Sequence, residues 1–335
     1  MSEARNKNKL GLPVISMSAI GRLAVLIAII VLGCFIDESF LMSRNISNNL
    51  TNASILIVLG IGQTIAIITN GPDLSSGSIM TICAVVAAIL MKNFEVHFII
   101  AIIAALGLGG LLGSLNGYMI AYVGLPSFIS TYGLQWAVFG FAYVILQGYV
   151  LYDFNETFRF IGNGVLFENW FGTFLQMPIV IMVILVTMGL FFLRKTNFGR
   201  KCYAVGSNRT CATMSGINSK TVILRAFTLS GVLSACAGIL FVARNNAVQA
   251  DIGNAYLLPV LATVYMGGTS AAGGSGGILG TVVGALVITI VTNCMNLLAV
   301  PSEWRDAIIG VLIIATVLID SLVSSRVASR KKAVA

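Results

Sequence analysis

An all-α integral membrane protein of about ten transmembrane helices is the fold this sequence predicts, and three observations predict it. Of its 335 residues, 57% are hydrophobic and only 10% charged, against about 25% charged in a soluble domain. Apolar runs recur along the whole chain, and many approach the roughly 20 residues that cross a bilayer. Basic residues gather in one internal stretch and at the two ends, the distribution that keeps Lys and Arg on the cytoplasmic side. The net charge of +8 therefore reads as topology, and nucleic acid is not an expected partner.

In order, spans are read near 16–36, 52–69, 76–91, 97–123, 125–147, 174–193, 223–243, 256–268, 276–299 and 304–323. Residues 1–15 read as a cytoplasmic segment, 16–323 as a single polytopic unit, and 324–335 as a basic cytoplasmic tail. The first run follows Arg5, Lys7, Lys9 and Arg22 as a secretory signal would, yet it lacks a small-x-small cleavage site, so it is kept as a span. The third and eighth runs are short, as broken or re-entrant pieces shielded from lipid would be.

With the N-terminus inside, ten crossings place 194–222 and the Arg326, Arg330, Lys331, Lys332 tail inside. The same parity puts 148–173 outside, with Asp153, Glu156 and Glu168 against Arg159. It also runs spans two to five and seven to ten in opposite senses. The two groups then read as inverted repeats with a pathway at their interface.

The stretch Arg194 to Arg225 holds seven cations (Arg194, Lys195, Arg200, Lys201, Arg209, Lys220, Arg225) and no carboxylate. Within it, Asn208 to Gly216 is compatible with a short helix, too short to be stable without a surface to pack against. A solvated topogenic loop and a docking element for a soluble partner are both open on these grounds.

Three other stretches interrupt the apolar pattern. In Asn70–Ser78, Pro72 and the glycines end a helix, and Asp73 or Ser75 can cap the next one. Asp73 is also an acid at membrane depth, which makes it a pathway candidate. In Gly124–Gly133, Pro126 sits near a helix start, and Ser127, Ser130 and Thr131 either face a wet path or bond back to the helix. Gly267–Gly280 has seven glycines in fourteen residues. It lacks the lysine of a phosphate-binding loop, so Gly267, Gly268, Gly273, Gly274 and Gly277 are expected to form a packing turn. Gly280 and Gly284 extend it as a small-xxx-small face.

Six cysteines (Cys34, Cys83, Cys202, Cys211, Cys236, Cys294) show no metal-ligand spacing, and His97 is the only histidine. With no nucleophile–base pair visible either, the sequence predicts no catalytic residue, metal or cofactor.

Taken together, GPDLSSGS, GLPSFISTYG, FGR…GSN…SGIN and MGGTSAAGG-x-GGILGT-x2-GALVI, in this order, resemble the membrane subunit of ribose-type sugar importers. Those are ATP-binding-cassette permeases of the monosaccharide branch, and the resemblance runs from about the second span to the ninth. It implies a type II fold of about ten helices similar to the vitamin B12 importer, in the bacterial inner membrane. It implies a cytoplasmic coupling helix, matched here at Gly206, Asn208, Ala212, Ser215, Gly216 and Ile217, that docks on a separate ATPase. A periplasmic or extracellular solute-binding protein on the 148–173 side and a second permease copy complete the expected partners.

The expected function is translocation of a monosaccharide or similar small polar solute. The alternative is an ion-coupled secondary transporter, which the scarcity of acids beyond Asp73 and Asp320 near the spans disfavours. Three positions depart from the family pattern. Thr210-Cys211-Ala212 stands where Glu-Ala-Ala is frequent, Ala255-Tyr256-Leu257-Leu258-Pro259 where Gly-Tyr-Glu-Leu-Asp is common, and Pro72 where an aliphatic or small residue is usual. They leave an unlike pair open beside the homodimer that closed two-fold symmetry favours.

Overall fold

The helices of the computed structural model, which describes residues 17–166, 175–301, 304–316 and 318, follow the apolar runs. The segments 1–15 and 324–335, with Glu168 and Asp320, lie outside the described residues. In chain order the helices are α1 (Met17–Ile36), α2 (Ser43–Thr69), α3 (Ser76–Lys92), α4 (Phe98–Tyr118) and α5 (Ser127–Leu146). Then come α6 (Glu156–Asn163), α7 (Met177–Lys195), α8 (Asn197–Ser207), α9 (Arg209–Met214) and α10 (Ser219–Asn245). The last are α11 (Asn254–Met266), α12 (Ile278–Leu297) and α13 (304–316).

Among the described residues, six helices are long and apolar enough to cross a membrane: α2, α4 with the π turn that continues it to Val123, α5, α7, α10 and α12. Shorter apolar helices are the Gly21–Ile36 part of α1, α3 and α11. The local signals act as expected. His97 caps α4 by accepting from the Ile99 N–H at 3.4 Å, Gly124 ends the π turn at φ +89, and Pro178 sits in the first turn of α7, where its missing N–H is harmless.

Two boundaries need correction. Helix α2 begins at Ser43 and not near 52. The residues Ser43–Asn52 are polar but contain neither Gly nor Pro, so the helix continues through them past the apolar run. The stretch 194–222, expected as a loop around one short helix, is helical through most of its length, divided among the end of α7, α8, α9 and the start of α10.

Helix α2 is the axis of the molecule. Every residue from Ala53 to Thr69 is buried, as a helix that is apolar all round should be. It packs on α10, α11 and α12, while α10 packs on α2, α3 and α4. The approach of α10 to α4 is close because Gly113 and Gly117 leave room. A Cβ on Gly113 would lie 3.1 Å from the Gly231 Cα, and one on Gly117 would lie 2.8 Å from the Leu224 Cα. In the same way Gly284 of α12 faces the Thr263 carbonyl of α11, with the Gly267 nitrogen 3.0 Å from its would-be Cβ. Backbones meet through small residues, which suits helix pairs in a medium as apolar as their side chains.

The two ends of α2 reach different extramembrane structures. At its start Thr51 Oγ1 donates to Gln176 Oε1 at 2.7 Å, beside α6 and the antiparallel pair Leu151–Tyr152 with Ala247–Val248. At its finish the Ile68 carbonyl accepts from the Gly274 N–H at 2.9 Å, beside α8. The 27 residues of α2 rise about 40 Å at 1.5 Å each, enough to cross a bilayer with a turn or two to spare.

Candidate functional site: a basic face and the buried acid behind it

At the C-terminal end of α2 the chain builds a bent pair of short helices. Thr196 starts α8 by accepting from the Gly199 N–H at 3.2 Å. Asn208, extended at φ −160, stops it and caps α9 by accepting from the Cys211 N–H at 2.9 Å. Gly216, at φ +79, closes α9: its N–H reaches the Thr213 carbonyl and the Ile217 N–H reaches the Ala212 carbonyl, both at 3.0 Å. This is a glycine-terminated wrap that a side chain at φ > 0 would strain. The single helix expected over 206–217 is therefore two helices, broken at Asn208 because its side chain replaces the backbone bond.

Of the six residues matched to the coupling helix, Asn208, Ser215 and Gly216 are exposed, Gly206 and Ile217 are half-buried and Ala212 is buried. Gly206 faces inward, and a Cβ there would collide with the Ile68 carbonyl oxygen and lie 2.7 Å from the Gly274 nitrogen. Ala212 is buried, Asn208 is a cap, and Ser215 Oγ donates back to the Cys211 carbonyl at 2.9 Å. Gly216 is the turn, and Ile217 is half-buried beside the core. Asn208, Ser215 and Gly216 share the outward surface with Arg209, Thr210, Cys211, Thr213 and Met214, Met214 being 84% exposed. Sequence reasoning missed Met214. The signal was there, since Met214 lies two residues from Ala212 on a helix too short to bury both.

The glycine-rich turn holds this pair against the membrane helices. Gly268, Gly273 and Gly274 take φ of +78, +81 and +70, which side chains resist. Gly276 does so too, at +131, although it was not among the expected turn residues. Gly267 caps α11 and accepts from Arg22 Nη1, whereas Gly277 is extended. Tyr203 Oη donates to the Gly276 carbonyl at 2.9 Å. Next to it, burial pushes the Cys202 thiol up to about 11, with a hydrogen bond to Thr69 opposing the shift. Cys202 is thus inert at neutral pH, while Cys211 on the outer face is exposed.

Asp73 sits just beyond the end of α2 and is wholly buried. Its Oδ1 accepts from the Ser75 N–H at 3.1 Å and from Ser75 Oγ at 2.6 Å. Its Oδ2 accepts from Ser230 Oγ of α10 at 2.7 Å. Asn116 of α4 donates to Ser75 Oγ at 2.7 Å and accepts from Ser130 Oγ at 3.1 Å. With its amide turned to satisfy both groups, Gln63 pairs with the Asp73 backbone at 3.0 and 3.1 Å. The acid makes a local turn ahead of α3, whose N-cap is Ser75 with no side-chain cap bond, and also ties α2, α4, α5 and α10 together. Ser127 and Thr131 stay out of this network. Thr131 Oγ1 bonds back to the Ser127 carbonyl at 2.8 Å, and Ser127 abuts the turn at Gly71.

Residues 45–317 match the family described as branched-chain amino acid transport system / permease component. The chain belongs to this permease family. It is 35% identical over 304 residues to the ribose import permease protein RbsC of Escherichia coli (strain K12), covering 89% of this chain and 91% of that one. It is 33% identical to the D-allose transport system permease protein AlsC of the same organism, covering 90% of each. With the xylose transport system permease protein XylH of Haemophilus influenzae it shares 32%, over 89% of this chain and 95% of the relative. No solved structure matches the chain. The permease is thus a multi-pass membrane component of an ATP-binding-cassette importer and not an enzyme.

Its two faces differ in charge. The exposed cations Arg194, Lys195, Arg200, Lys201, Arg209 and Lys220 surround α8 and α9. The opposite end exposes Asp37, Glu38, Asp153, Glu156 and Asp251 together with the cations Arg44 and Lys92. Among the described residues the one ion pair is Lys92 with Asp153 at 3.9 Å, so the basic face is left unneutralised.

Proposed function

We propose that this permease moves a monosaccharide into the cell, driven by a separate ATPase that docks on α8 and α9. The observation that carries the reading is its near full-length similarity to three permeases whose names specify ribose, D-allose and xylose. A binding protein delivers the solute to the α6 face, and two identical copies of the polytopic unit 16–323 line the path. The unneutralised cations around α8 and α9 support a cytoplasmic position for that face and for both termini. Ten crossings and a vitamin-B12-importer-like fold are part of this reading. So are inverted repeats, supported by the reciprocal packing of α2 on α10–α12 and of α10 on α2–α4.

Reconstitution with ATPase and binding protein tests it. Uptake of one of these sugars is expected with ATP and none with an imposed proton or sodium gradient; the reverse result overturns the reading. Weighing the intact complex is expected to find two copies of this chain, and a requirement for a second, different permease would replace the homodimer.

Docking has its own test. Met214→Asp puts a charge on the most exposed apolar side chain of α9 without touching the core. Loss of about tenfold or more in ATP-driven uptake is expected, since a buried unpaired charge at an interface costs several kcal/mol, with membrane insertion unchanged. Orientation follows from the cysteines. In a Cys34→Ser background without ATPase, an impermeant maleimide should label Cys211 in inside-out vesicles and fail to do so in right-side-out ones.

A further inference from the structure

At the α6 end of the molecule, between α2, α10, α11, α12 and α13, lies a cavity of about 590 Å³. That is within the range of pockets that bind small molecules. Its position follows from α2. Asn49 and Asn52 line it, and they precede Ile68, which touches α8, by 16 to 19 residues, or about 25–30 Å of helix. The cavity therefore opens on the face opposite the basic one, a bilayer's thickness away.

The lining is chemically selective. Seven carboxamides face it, four from the first turns of α2, one from the segment before α11, and two from α12. Asn45 and Asn293 satisfy each other at 3.1 and 2.9 Å. The side chains of Asn48, Asn49, Asn52, Gln249 and Thr292, however, make no hydrogen bond with any described residue. Charge is balanced, with Asp251 and Arg305 as the two ionic side chains. Arg305 is held by Asn296 Oδ1 at 2.7 Å, and its buried Nε lacks a partner.

Phe241 and Tyr256 add an apolar wall, their rings edge to face at 6.1 Å. Pro259, one of the departures from the family pattern, also lines the cavity. Having no N–H, it gives nothing to the Ala255 carbonyl one turn earlier, and Ala255 faces the same space.

A carboxamide offers donors and an acceptor together without net charge, which is what a ring of hydroxyls requires. An ion would call for a lining of one sign, and an acyl chain for a lining without free amides. A ring with hydroxyls on its rim and C–H groups on its faces meets both the amides and the aromatic wall.

We propose that this cavity is the outward solute site of the permease, taking a neutral polyhydroxylated molecule of monosaccharide size. This rests on the sugar-permease reading, and the test separates the two. Proteoliposomes containing permease, ATPase and binding protein are offered ribose, D-allose and xylose, for the unaltered chain and for Asn49→Leu and Asn52→Leu. If the unaltered complex imports no sugar, the permease reading itself fails and this proposal with it.

If it imports one, each leucine variant should lower uptake about tenfold, as expected when a hydrogen bond is lost and a solute hydroxyl goes unpaired. Uptake within about twofold of the unaltered chain would overturn the cavity alone. Should a leucine variant fail to assemble, Asn52→Cys decides. Millimolar amounts of the imported sugar should slow its alkylation by an impermeant maleimide, relative to the same amount of a sugar that is not imported. Equal rates would overturn the proposal.

Discussion

Gly206→Ala is expected to remove nearly all folded permease from the membrane, although it adds a single methyl group. That methyl would collide with the Ile68 carbonyl oxygen and stand 2.7 Å from the Gly274 nitrogen. Both atoms belong to backbone already joined by the 2.9 Å bond from the Gly274 N–H to the Ile68 carbonyl. Overpacking of a core costs about 1–3 kcal/mol when side chains can yield, and more when they cannot. Here nothing flexible is available to yield. Gly216→Ala makes the comparison, because its Cβ would meet nothing within 4 Å and only the φ of +79 is strained, worth about 1–2 kcal/mol. Detergent-solubilised yield and thermal unfolding of the two variants should rank them Gly216→Ala well above Gly206→Ala; equal behaviour would dissolve the account of how α8 seats on α2.

Asp73→Ala should be the next most damaging change, and Asp73→Asn close to harmless. Alanine strands the Ser75 N–H in a buried turn and removes the acceptor of the Ser75 and Ser230 hydroxyls, which lie at 2.6 and 2.7 Å. The hydroxyls can rotate toward helix carbonyls, but the N–H cannot, so a cost of about 2–3 kcal/mol is expected. Asparagine keeps an oxygen for Ser75 and forms the same local turn, and its amide can donate to Ser230 once that hydroxyl rotates. Uptake within about twofold of the unaltered protein is expected for Asn on that ground. If Asp73→Asn assembles normally and imports nothing, the carboxylate is part of transport and the structural assignment is wrong.

Much of this architecture was legible in the sequence because hydrophobic length and positive charge report directly on a bilayer. The short apolar helices α3 and α11 and the basic stretch were visible that way, and the glycine turn by its composition. Polar residues inside apolar runs were read less well. Gln63 and Asn116 stand out in GIGQTIA and GSLNGY, yet nothing local says that both serve Asp73, since their meeting depends on which helices pack. The asparagines of α2 misled for another reason. Their polarity placed the start of the span near 52, whereas in the fold they continue the helix and line a cavity. Gly206 and Ala212, singled out by the motif, are packed inward in the fold, because a motif marks positions and not which way they face.

Helix α2 is one unbroken body from Ser43 to Thr69, carrying amides at one end and seating the basic face at the other. An unbroken helix joins the two faces, so a shift or tilt of α2 that reaches both ends couples them. On the proposed docking and solute sites, thermodynamic reciprocity requires that whatever factor a docked ATPase imposes on solute affinity, solute imposes on the grip of the ATPase. The permease is then a lever read from either end, and measuring nucleotide-dependent docking with and without sugar would give its coupling constant.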